Sequence, residues 1–187
     1  MIPRRAHFTR LLGIIVVTAL FAATPGSAAD KTKVIVERMD WQTLFNQGVA
    51  HGRKGDWDKA IENLRGAADL NPERNEIFTN LALAYTEKKD FDKAVESGEK
   101  AVKAGPKNPT SYLALGLAYE GRGSPQQAID VYRRGAQADP KNADIHLTLG
   151  NLYGKQGNFT EAVKAYEQAI RVDSANLYAY SNLAYVY

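Results

Sequence analysis

The chain repeats itself every 34 residues. Leu149-Gly150, Tyr153, Gly157, Ala162 and Tyr166 return one interval earlier as Leu115-Gly116, Tyr119, Gly123, Ala128 and Tyr132. A second step back gives Leu81-Ala82, Tyr85 and Ala94, and a third gives Gly48, Gly55 and Ala60. Pro72, Pro106 and Pro140 keep the same interval. A unit this short cannot bury its own apolar face, so neighbouring units must stack to close a core. Within a unit, Tyr112, Leu115 and Tyr119 step by three and four, the spacing of one helical face. Arg122-Gly123-Ser124 breaks that helix, and Pro125 suits the first position of the next, where its missing N–H costs nothing. Each unit therefore reads as two helices and a turn.

These marks resemble the tetratricopeptide repeat over residues 41–187. The resemblance implies an all-α fold, a right-handed superhelical solenoid of helix-turn-helix repeats. The units are 41–74, 75–108, 109–142 and 143–176, followed by 177–187 as the first helix of an incomplete fifth. Small residues mark where helix axes cross closely, with Gly48, Ala82, Gly116 and Gly150 on first helices and Ala60, Ala94, Ala128 and Ala162 on second helices. Trp57, Phe91, Tyr119 and Tyr153 are expected to fill the gaps between them. Asp40 is expected to cap the first helix, and Asp56, Asp90, Ser124 and Asn158 the second helices. Two places depart from the family pattern. Unit one has Gln47 and His51 where Leu and Tyr are usual, as a terminal unit can. Unit two has Gly98 at a usually aromatic position, which predicts looser packing there.

The first 29 residues read as a secretory signal peptide. Arg4, Arg5 and Arg10 precede an apolar run from Leu11 to Ala23, and Ser27-Ala28-Ala29 supplies small residues before Asp30. The run of 13 residues is shorter than the roughly 20 that cross a bilayer, so no stable membrane insertion is expected after cleavage. The Arg4-Arg5 pair lacks the rest of a twin-arginine motif, leaving the general secretory route and a periplasmic location. Residues 30–40 then form a leader that docks on the first unit.

Loss of the signal changes the charge. Of 24 basic side chains three leave, and 21 remain against 21 acidic ones. That balance argues against a nucleic-acid partner. With no cysteine there is no disulfide, thiolate metal site or thiol nucleophile.

The chemistry-bearing residues do not assemble into a catalytic pattern, and the chain reads as a protein that is not an enzyme. His51 and His146 fall where other units carry aromatics and read as partly buried core residues. No cluster has metal-ligand spacing, and no cofactor is implied. Asp56/Asp58 and Asp90/Asp92 sit at helix starts, where they complement the helix dipole. Gly121-Arg122-Gly123 is a helix-ending turn without the strand and lysine of a phosphate loop. Asn158-Phe159-Thr160 spells a glycosylation acceptor but also fits the repeat turn.

Binding is the better reading. In the family the first helices line a concave groove for a protein or peptide partner. Position by position the resemblance implies Phe45, Asn46 and Val49 from unit one, and Thr79, Asn80 and Leu83 from unit two. Unit three would add Leu113, Leu117 and Glu120, and unit four Leu147, Asn151 and Lys155. The leucines could instead pack between neighbouring first helices. The family's carboxylate clamp is missing: Asn80 fits it, but Phe45, Val49, Thr110 and Ala114 fill its other places.

Residues 177–187 read as a first helix packing through Tyr180, Leu183 and Tyr187 and exposing Tyr178, Tyr185 and Val186. An apolar outer face at a solenoid end implies either a longer protein or self-association through Tyr178 and Tyr185. The expected function is an exported scaffold or adaptor for envelope or secretion complexes. The alternative is the N-terminal interaction module of a longer enzyme cut at Tyr187.

Overall fold

A computed structural model describes residues 40–186. The expected signal and nearly all of the leader, and Tyr187, lie outside the described residues. Every regular element among those residues is an α-helix, and none is long and apolar enough to cross a membrane. The order is α1 (Trp41–Arg53), α2 (Trp57–Leu70), α3 (Asn75–Glu87), α4 (Phe91–Ala104), α5 (Pro109–Gly121), α6 (Pro125–Ala138), α7 (Ala143–Lys155), α8 (Phe159–Val172) and α9 (Leu177–Val186). Each odd helix packs antiparallel on the even helix that follows, and each even helix packs on the next odd one.

The turn inside each unit is one motif used four times. Gly55, Gly123 and Gly157 have φ of 77°, 76° and 72°, and Lys89 holds the same conformation at 60°. This left-handed residue lets the next amide reach back across the helix end: Asp56 N–H donates to His51 O, and Asp90 N–H to Tyr85 O. Ser124 and Asn158 repeat the bond. Because these residues close the preceding helix, they do not take the geometry of a side-chain cap. The expected caps at Asp56, Asp90, Ser124 and Asn158 are therefore not made. Asp56 and Asp90 bond instead to Lys59 and Lys93 one turn on, which holds both carboxyls below their ordinary range.

Side-chain caps belong to the first helices. Asp40 accepts from Thr43 N–H at 2.6 Å. Asn108, Asn142 and Asn176 accept at 3.0 Å from Thr110, Ile145 and Ala179. Arg74 occupies the equivalent place before α3 and makes no such bond; its guanidinium lies 4.9 Å from the Trp41 ring centroid.

The apolar interior falls into two bodies. One gathers Leu44, Leu64, Ile77, Leu81 and Ala84 from α1–α3. The other runs from Ala94 and Val95 of α4 through Tyr132 to Leu152 and Ala165. Tyr85 touches both. The division falls inside the second unit, where Ala82 faces the position that Gly98 leaves without a ring. The missing ring does not leave a loose helix. A Cβ built on Gly98 would meet Leu115 Cα at 2.9 Å, so α5 closes directly on the α4 backbone.

Of the expected gap fillers, Tyr119 is buried, while Trp57, Phe91 and Tyr153 are half-buried. In α9 the buried residue is Ala179, not Tyr180, which is 47% exposed. The equivalent Tyr112 is covered by its own unit, with Arg134 of α6 over its ring at 5.7 Å. No second helix follows α9 among the described residues to cover Tyr180 in that way. Leu183 and Val186 are half-buried, and Tyr178 and Tyr185 are 76% and 89% exposed.

Candidate protein-binding groove

Successive first helices lie against one another at α1–α3, α3–α5 and α7–α9, whereas second helices are separated by the first helix between them. The first-helix side is the one that the resemblance to the family assigns to a groove. The outward residues of these helices form the candidate surface.

Position 49 of the first unit and its successors make the apolar line: Val49, Leu83 and Leu117, the last 41% exposed. With neighbouring helix axes roughly 8–10 Å apart, these are rungs at about that spacing. The line stops at Asn151. Its Oδ1 accepts from Tyr166 at 3.0 Å and from Asn182 at 2.7 Å, so this amide holds α7 to α8 and α9.

In the row at Phe45, Thr79, Leu113 and Leu147 only Thr79 is fully buried, the others being half-buried. Thr79, expected on the lining, is 4% exposed and lies between α3 and α5. Its hydroxyl bonds to Ser111 Oγ at 3.0 Å and donates to Asn75 O at 2.9 Å. Phe45 packs on the first apolar body and Leu113 on the second, and Leu147 is half-buried. Thr79 thus belongs to a seam between α3 and α5.

Polar partners vary in freedom. Asn46 is exposed, and Asn80 donates to Glu76 O at 2.8 Å, which leaves its carbonyl oxygen for a ligand. Glu120 accepts from Tyr132 OH at 2.8 Å and pairs with Lys155 at 3.4 Å, so those two groove residues tie α5 to α7. Burial pushes the Tyr132 phenol far above its ordinary range, with the neighbouring Glu120 charge adding to it. That hydroxyl is a fixed donor.

His146 and His51 have structural work. His146 Nε2 lies 3.1 Å from Pro140 O, the place where Tyr112 donates to Pro106 O at 3.0 Å. His51 Nδ1 lies 3.5 Å from Asp56. Among the described residues no group of three or more potential ligands could hold a metal ion. Sequence reasoning missed that Thr79 and Asn151 spend their polar atoms internally. The hydroxyl at Ser111, opposite Thr79, was the available signal.

A tetratricopeptide repeat model matches residues 45–109, and a second, described as a TPR repeat, matches 121–157 and 150–187. No curated protein matches the chain in sequence. Among solved structures, a MamA protein is 26% identical with a TM-score of 0.66, covering 79% of this chain and 80% of its own. A thermophilic TPR protein of Thermus thermophilus, TTC0263, is 25% identical with a TM-score of 0.65, covering 79% and 81%. MamA of Desulfovibrio magneticus RS-1, at 21% identity, shares the fold with a TM-score of 0.66 over 76% and 80%.

Proposed function

The chain belongs to the tetratricopeptide-repeat family, and from that premise we propose that it is a non-catalytic scaffold holding a protein segment along its first helices. The observation that carries this reading is the line Val49–Leu83–Leu117, apolar side chains in register on three successive first helices, with Leu117 exposed and the other two half-buried. Apolar rungs supply area, and the free amide atoms of Asn46 and Asn80 serve the ligand backbone without reading its sequence. The proposed setting is outside the cytoplasm, in assembly of an envelope or secretion complex. Its support is the basic, apolar and small-residue order of residues 1–29.

A photo-crosslinking residue at Leu83 tests the binding face in the producing cell. Adducts are expected from Leu83 and lost when Leu117→Glu is added. Adducts from the convex side alone would refute the assignment. Fusion of residues 1–29 to a reporter active only after export tests the location; an inactive fusion removes it.

A further inference from the structure

A second site lies on the opposite side of the solenoid from the inner groove. A cleft of about 960 Å³ opens between α2 and α4 and is floored by α3. Phe78, Leu81 and Tyr85 form its apolar floor. One end is basic, with Arg65 and Lys93 around Tyr85, and the other is acidic, with Asp69 and Glu73 on the wall beside Lys103. Glu96 and Lys100, also on the rim, are spent on each other at 2.6 Å.

The repeat itself shows what the basic end lacks. One unit on, Tyr119 donates its hydroxyl to Glu99 Oε1 at 3.1 Å. The residue equivalent to Glu99 is Arg65, which lines the same cleft as Tyr85, so the first junction holds a guanidinium where the next holds a carboxylate. Lys93 Nζ lies 5.7 Å from the Tyr85 ring centroid and shares its charge with Asp90. Arg65 makes no ion pair with an acid among the described residues. Arg133 also precedes Tyr153 at this spacing, with Ala136 and Ala165 where the first junction has Ala68 and Ser97, but there Glu161 replaces Lys93 and His146 replaces Phe78. At the junction between them Val102 and Val131 fill the places of Ala68 and Ser97.

We infer that this outer cleft binds an acidic, apolar-flanked peptide segment of a partner protein, whose carboxylate takes the place that Glu99 holds in the next unit. The carboxylate accepts from the Tyr85 hydroxyl and the Arg65 guanidinium, and the flanking apolar side chain covers Phe78 and Leu81. An amide in place of the carboxylate keeps the shape but loses the charge that Arg65 and Lys93 answer. The inference does not depend on the inner-groove reading.

The test is fluorescence anisotropy with a labelled Leu-Glu-Phe-Glu-Leu peptide and its counterpart carrying glutamine for both glutamates. The acidic peptide is expected to bind about tenfold or more tightly than the amide peptide. Arg65→Glu should abolish that preference without lowering the melting temperature, since it supplies Tyr85 with the internal partner that Tyr119 has. Lys93→Gln, which leaves the Arg65 position untouched, should weaken the acidic peptide severalfold. Leu117→Glu, on the inner groove, should change nothing. Equal binding of the two peptides, no binding of either, or loss through Leu117→Glu with Arg65→Glu silent would each overturn the assignment.

Discussion

Gly116 is hydrogen-sized because Tyr132 lies across it: a Cβ at position 116 would fall within the tyrosine ring. The same relation holds at Gly150, where a Cβ would meet Tyr166 Cδ1 at 2.5 Å, and at Gly48, where it would meet Leu64 Cγ at 2.7 Å. Where the second helix carries Gly98, the first carries Ala82. The two positions are sized as a pair. Gly116→Ala should therefore destabilise by about 1–3 kcal/mol through overpacking. Combined with Tyr132→Leu it should cost clearly less than the sum of the two single changes. Urea unfolding of the four proteins measures this; strict additivity would mean the ring does not dictate the glycine.

Lys89 carries a left-handed backbone that the other three turns give to glycine. A side chain in that region costs about 1–2 kcal/mol, partly offset by the extra freedom glycine gives the unfolded chain. Lys89→Gly should raise stability by about 1 kcal/mol, a gain of roughly 2–4 °C in melting temperature for a chain of this size. Gly123→Ala should lower it. Calorimetry reads both, and a fall for Lys89→Gly would show that the lysine side chain contributes more than its backbone costs.

Thr79 and Ser111 share a buried hydroxyl pair between α3 and α5. With Thr79→Val, the Ser111 hydroxyl keeps only Asn75 Nδ2 at 3.4 Å. The single change should cost about 1–3 kcal/mol, because the buried Ser111 hydroxyl loses the acceptor for its proton. Adding Ser111→Ala should recover part of that loss. A double-mutant cycle by denaturant unfolding gives the coupling, and zero coupling would mean the two hydroxyls act independently.

The buried phenol of Tyr132 gives the fold an alkaline limit. In the unfolded chain it ionises near its ordinary value of 10.0, while burial in the folded chain holds the proton well above that. The unfolded state then binds fewer protons, so stability is fully present below pH 10 and falls as pH climbs past it. Burial raises Tyr119 and Tyr166 in the same direction. Urea midpoints between pH 8 and 11 should decline, with a shallower slope for Tyr132→Phe. An unchanged slope would place the alkaline loss elsewhere.

The helical pairs are legible because glycine and alanine recur where axes cross and the turns recur between them. The caps are misread from sequence for a physical reason. Asp56 and Asp90 look like helix starts, but their amides are already committed to ending the helix before. Asn108, Asn142 and Asn176 carry the true capping signal, at the repeat interval. Reading Tyr180 by its equivalence to Tyr112 ignores that exposure depends on the helix lying above. Thr79 shares its register with Phe45, Leu113 and Leu147, yet a register alone does not say whether the side chain meets a ligand or a neighbouring helix. The outer cleft could not be read from periodicity. It lies where Ala68 and Ser97, the exchange of a glutamate for Arg65, and Lys93 come together in one unit-to-unit junction.

The two apolar bodies of this solenoid join at Tyr85, inside the second unit. Helices α1–α3 share one body and α4–α8 the other, while α3 packs along α4 and bridges them. The outer cleft straddles that joint, with α2 and α3 on one side and α4 on the other. A segment seated there would touch all three helices at once and so brace one body against the other.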